Sequence, residues 1–222
     1  MTTQVDDLPN YTKKEEIYNS ISHFAGFLFG VGVTIYFFIY ELVNKVSFVN
    51  MIPFYIYSLF MMMMFFVSGF YHSRKFYSRS RAIARKLDHS DIYLFIAATY
   101  TPICLVGIAD LKVGIIALLI DVILNAIGMV LSLINVKKKL IDILAYFCYI
   151  IAGWWIVIIY PFNLGIPFFS FLWVLIGGIA YTIGAILYAI GKKKRYFHTV
   201  FHIFVLLGAI FQFVGVVSLL TF

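Results

Sequence analysis

Seven stretches of this chain, at roughly residues 24–43, 51–72, 92–109, 113–134, 143–162, 168–190 and 199–222, are apolar and long enough, or nearly so, to cross a hydrocarbon core of about 30 Å as helices. Inside a bilayer a segment must satisfy its own backbone hydrogen bonds, so each run reads as a helix. The composition agrees: 63% of residues are hydrophobic and only 12% charged, with a mean hydropathy of +0.98, whereas soluble domains carry about 25% charged residues. The expected fold is all-α, a polytopic seven-transmembrane helix bundle occupying 1–222 as a single membrane domain that includes a short amino-terminal tail at 1–20. Links at Asp110–Lys112 and Asn163–Pro167 leave room only for tight turns.

The basic residues set an expected orientation, because short cytoplasmic loops retain positive charge. Fifteen of the seventeen lysines and arginines fall on one side: Lys13 and Lys14; Arg74, Lys75, Arg79, Arg81, Arg85 and Lys86; Lys137 to Lys139; and Lys192 to Arg195. Lys45 and Lys112 fall on the other. This predicts a cytoplasmic amino terminus and an external carboxyl terminus, in a multi-pass protein of the cell membrane. The first twenty residues, which include Asp6, Asp7, Glu15 and Glu16, do not read as a removable signal peptide. A net charge of +7 in loops at span ends suits anionic lipid headgroups and excludes nucleic acid as the expected partner.

Cys104 and Cys148 each lie in an apolar run, so neither a disulfide framework nor a CxxC metal motif is available, and both read as soft core residues. Met61–Met64 read as adaptable packing. Gly177, Ala180 and Gly184, at i, i+3 and i+7, would let another helix approach the sixth run closely.

Polar side chains at span ends carry the chemistry. All five histidines sit at the expected cytoplasmic ends: His23, His72, His89, His198 and His202. Histidine is costly in lipid and usually faces a bundle interior or a cavity. His198 and His202 are four apart and share a helix face, with about 5–6 Å between Cβ atoms, which one metal can bridge. By itself such a pair also fits two imidazoles bonded to neighbouring helices. His72 at matching depth brings the count to three imidazoles, the ligand number of a catalytic zinc site with one open position.

Ser68 lies one turn from His72 and reads either as a hydroxyl facing the same cavity or as a serine bonded back to its own helix. Asp88, beside His89, reads either as a carboxylate serving the metal site or as an amino-terminal helix cap. His89 is expected to turn toward the interface. Asp121 and Asn125, four apart in the fourth run, read first as a buried polar contact and second as part of a substrate or ion pathway.

Four motifs occur in order: E-E-x-x-N-x-x-x-H at Glu15, Glu16, Asn19 and His23; S-G-F-Y-H at 68–72; L-D-H at 87–89 followed by A-T-Y-T-P at 98–102; and H-x-x-x-H at 198–202. This pattern covers nearly the whole chain and resembles the haemolysin III family, relatives of the adiponectin and progestin receptors and, more distantly, of the alkaline ceramidases. The resemblance implies a seven-span bundle with a cytoplasmic amino terminus, a zinc held by His72, His198 and His202, and Asp88 and Ser68 completing the site beside the metal. Glu16, Asn19 and His23 belong to the same pattern and are expected to position the first helix by hydrogen bonds rather than to ligate. One departure is Gln212, which stands where many members of that family have a further histidine deeper in the last span.

Three functions follow as expectations. The first is zinc-dependent hydrolysis of a lipid amide or ester, with Asp88 and Ser68 as the catalytic groups. The second is a nonenzymatic, zinc-stapled lipid sensor or receptor-like regulator, in which membrane lipid is ligand rather than substrate. The third is a pore-forming cytolysin, ranked last because no detachable amphipathic segment or continuous polar lining is evident.

Overall fold

A computed structural model describes residues 11–75, 78–134, 139–191 and 194–221 of the chain, with the side chains of 139, 142, 190 and 191 outside that description. Every regular element among the described residues is helical. In chain order they are α1 (Lys13–Asn44), α2 (Phe48–Ser73), α3 (Arg79–Pro102, continued by a π-helical segment Ile103–Gly107), α4 (Leu111–Leu133), α5 (Lys139–Gly153), α6 (Trp155–Ile159, continued by a 3-10 turn Tyr160–Phe162), α7 (Phe168–Gly191) and α8 (Phe197–Val217, continued by a 3-10 turn Ser218–Thr221). Six of these, α1 to α4, α7 and α8, are each long and apolar enough to cross a membrane. The α5–α6 region, bent by 58° at its break, brings the number of candidate crossings to seven when it is counted as one broken span.

The burial pattern is that of a protein dissolved in lipid. Large apolar side chains such as Leu28, Phe38, Ile116, Phe147, Phe168 and Ile186 lie on the outside, while Glu16, Asn19, His23, Arg81, Asp91, Asp121 and Asn125 are buried between helices. Apolar side chains cost nothing against acyl chains, so the interior is left to close packing and to polar groups that pair with one another. Sequential helices are neighbours from α1 through α5, α7 packs on α8, and α8 closes back onto α1.

The α7–α8 seam uses the small residues of the sixth run. A Cβ on Gly177 would lie 2.6 Å from Gln212 Cγ and 3.0 Å from the Gly208 carbonyl oxygen, and one on Gly184 would lie 3.2 Å from Phe204 Cβ. Ala180 is buried on the same face. Cys104 is a free, buried core residue, whereas Cys148 is only half-buried.

Three helices depart from the expected boundaries. α1 begins at Lys13, so the second half of the expected tail is helical. Thr12 caps it and forms a reciprocal capping box with Glu15. α3 begins at Arg79, thirteen residues before the expected start, with Ser78 accepting from the Arg81 N–H. Its first turns are polar and therefore silent in a search for apolar runs. The fifth run is continuous in hydropathy yet breaks at Trp154, where the Tyr100 hydroxyl donates to the Gly153 carbonyl (3.1 Å) and accepts from the Ile156 N–H (3.0 Å). A side chain from α3 thus satisfies backbone groups freed by the break. Asp110, in the expected tight link, caps α4 by accepting from the N–H groups of Lys112 and Val113. Of the basic residues, Lys137, Lys138, Lys192 and Lys193 lie outside the described residues.

Candidate metal centre

His72 ends α2, while His198 and His202 occupy the first two turns of α8. All three are buried. His198 Nε2 lies 2.8 Å from His202 Nε2 and 3.4 Å from His72 Nε2. One ring nitrogen from each residue falls within 4.8 Å of the others, and among the described residues these three form the cluster able to hold a metal ion. Zn–N bonds of about 2.0–2.1 Å in a tetrahedral shell require neighbouring nitrogens about 3.3 Å apart, within the observed range.

The chemistry of the donors fits a cation better than a hydrogen-bonded trio. His72 Nδ1 donates to Glu16 Oε2 at 2.6 Å, which puts the proton on Nδ1 and turns the Nε2 lone pair toward the other two histidines. A carboxylate behind a ligand histidine orients the ring and raises its basicity. Two further buried ring nitrogens, Nδ1 of His198 and of His202, have no hydrogen-bond partner among the described residues.

Glu16 is itself held in place. Its other carboxylate oxygen accepts from the Arg81 guanidinium, which is fully buried and also donates to the Arg74 carbonyl. A buried ion pair of this kind survives because each partner has several hydrogen bonds. Along α1, Glu16, Asn19 and His23 recur at i, i+3 and i+7 and form one buried face. Asn19 Oδ1 accepts from the Thr199 hydroxyl at 2.6 Å, Glu15 accepts from the Tyr196 N–H at 2.7 Å, and the His23 ring stands edge-on to His202 at 3.9 Å. Neither nitrogen of His23 has a hydrogen-bond partner among the described residues, and its observed contact with the site is through the ring. Tyr11 stacks on His198 at 4.7 Å and covers the cluster from the amino-terminal side.

Asp88 is the tenth residue of α3, in the helix interior, which removes the capping reading; that role belongs to Ser78. The Asp88 carboxylate lies within electrostatic reach of Ser68 on α2 and of His72. His89 is exposed, with its Nδ1 3.5 Å from Asp88 and its Nε2 3.4 Å from the Tyr188 hydroxyl.

Glu16 was expected to position the first helix by hydrogen bonds, but its partners His72 and Arg81, and any role for Tyr11, were not assigned from the sequence. The i, i+3, i+7 spacing of Glu16, Asn19 and His23 carried the signal for Glu16; nothing in the sequence pointed to Tyr11.

A cavity of about 370 Å³ opens one turn deeper. Met64, Ile92 and Val205 line it, and these are the residues one turn or less beyond Ser68, Asp88 and His202 on their respective helices. The rest of its wall is mostly apolar and aromatic, with Thr99, Tyr100, Tyr181, Thr182 and Gln212 as its polar points.

The model of haemolysin-III related proteins matches residues 11–213. The chain is 32% identical over 204 residues to a protein named hemolysin-3 homolog from Bacillus subtilis (strain 168), covering 91% of this chain and 93% of that relative. It is 31% identical over 214 residues to a protein named hemolysin-3 from Bacillus cereus, covering 96% and 94%. This multi-pass integral membrane protein belongs to the haemolysin III-related family.

Proposed function

We propose that this protein is a zinc-dependent hydrolase of a lipid amide or ester. The observation that carries the reading is the alignment of three things along the bundle: a buried three-histidine cluster backed by Glu16, a carboxylate and hydroxyl beside it, and an apolar cavity directly beneath.

His72, His198 and His202 would hold the metal, which supplies a Lewis acid for a carbonyl oxygen and lowers the pKa of a bound water to about 7. Asp88 would take the proton that an attacking water gives up and return it to the departing amine or alcohol. Ser68, within reach of that carboxylate, would donate to it and fix its direction. The cavity, within the usual size of ligand sites, holds acyl chain and excludes bulk water. The scissile bond then sits at the headgroup boundary, next to the basic α2–α3 connection.

A second reading, a metal staple regulating lipid-dependent packing, draws on the placement of the ligands, one on α2 and two on α8. The two readings part on turnover. Purified protein in nanodiscs, supplied with lipid amides and esters, should release free fatty acid detectable by mass spectrometry, and a chelator should stop the release. Lipid that co-purifies and exchanges without any product forming would favour the staple.

A further inference from the structure

A second polar site lies away from the histidines, near mid-depth in α4. Asp121 is the eleventh of 23 residues in α4, about 15 Å from either end, and is fully buried. Asn125, one turn on, is also buried and donates from Nδ2 both to the Asp121 carbonyl (3.0 Å) and to Asp121 Oδ2 (3.1 Å). Those two bonds fix the amide orientation and turn its oxygen away from them. Two oxygen acceptors, Asp121 Oδ1 and Asn125 Oδ1, are then buried with no donor among the described residues.

The surroundings are irregular backbone. Gly114 and Ala117 precede Asp121 on the same face of α4, and a Cβ on Gly114 would lie 2.1 Å from the Cys104 carbonyl oxygen, so α4 is pressed against the π-helical segment of α3. Asp121 interacts electrostatically with Cys104 and Tyr100, and Tyr100 is the residue that bridges the break between α5 and α6. Residues of the π turn and of the helix break therefore lie within electrostatic reach of the buried carboxylate. Non-α backbone within a membrane is tolerated where it is enclosed or lines a polar site, π turns recur at functional sites, and discontinuous helices in membrane proteins supply oxygens to bound ions.

We infer that Asp121 and Asn125 form an intramembrane site for a monovalent cation. Unpaired acceptor oxygens in an apolar interior are costly, and a cation satisfies them together. One carboxylate neutralises one charge; a divalent ion would leave net charge buried without compensation. Oxygen donors without nitrogen or sulfur suit an alkali cation. The site is distinct from the histidine cluster in residues and in depth.

The test measures binding of ²²Na⁺ and ⁸⁶Rb⁺ to the purified full-length protein in nanodiscs, with choline chloride holding ionic strength constant. Wild type should bind at least one of them saturably, Asp121→Asn should not, and Asn125→Ala should weaken binding by roughly tenfold, the worth of one lost ligand oxygen. Should Asp121→Asn fail to fold, wild type and Asn125→Ala carry the comparison. Wild type binding neither ion, or binding that is unchanged in both variants, overturns the proposal.

Discussion

His72 Nδ1 lies 2.6 Å from Glu16 Oε2, so the first helix sets the direction in which an imidazole of the second helix points. The same carboxylate holds Arg81 of the third helix. The amino-terminal turns of α1 are in this way a supporting shell for the cluster between α2 and α8, and Glu15 and Asn19 extend that support to the start of α8 through Tyr196 and Thr199.

Glu16→Gln should therefore weaken zinc binding about 10- to 100-fold while leaving all three histidines in place. Glu16→Ala should do the same and also destabilise the fold by about 3–5 kcal/mol, because Arg81 is left buried without its carboxylate. Chelator competition reads the first effect and thermal unfolding the second. Unchanged affinity in both variants would remove Glu16 from the metal site.

Asp88→Asn keeps size and most hydrogen bonding. Zinc content and unfolding temperature should stay near wild type, while lipid hydrolysis falls by roughly 10²–10⁴-fold, the worth of general acid–base assistance. Full turnover in this variant would deny Asp88 a catalytic role.

Gly177→Val tests the α7–α8 seam, where an added Cβ meets Gln212 Cγ at 2.6 Å. Overpacking of this kind costs about 1–3 kcal/mol. The melting temperature should fall, and a variant as stable as wild type would mean that the two helices are not in this register.

The expected orientation rests on the charge asymmetry alone. With the native cysteines replaced, a cysteine at Lys75 should be shielded from an impermeant thiol reagent in intact cells and one at Lys112 should react. The reverse labelling would move the cluster to the outer leaflet.

Hydropathy and histidine spacing carried most of the architecture, because burial in lipid demands long apolar helices and because His198 and His202 share a face at any helical register. Where the reading failed, polar residues were doing structural work. The start of α3 is rich in arginine and serine, so an apolar window first registers at about residue 92, yet Arg81 and Asp91 are buried there against other helices. The start of α1 was missed for the same reason, although Thr12 and Glu15 spell a capping box. The break at Trp154 leaves no mark on hydropathy; it depends on a hydroxyl 54 residues earlier, at Tyr100. Glu16 was expected to position α1 by hydrogen bonds, but its partner His72 became legible only once α1 and α2 were seen side by side.

The central claim is that three histidines from two helices hold one zinc, and elemental analysis of the purified protein tests it most directly. The account predicts about one zinc per chain in wild type and in His89→Ala, and loss of the metal in His72→Ala, His198→Ala and His202→Ala, since two imidazoles rarely suffice. Full zinc occupancy in a variant carrying both His198→Ala and His202→Ala would contradict it.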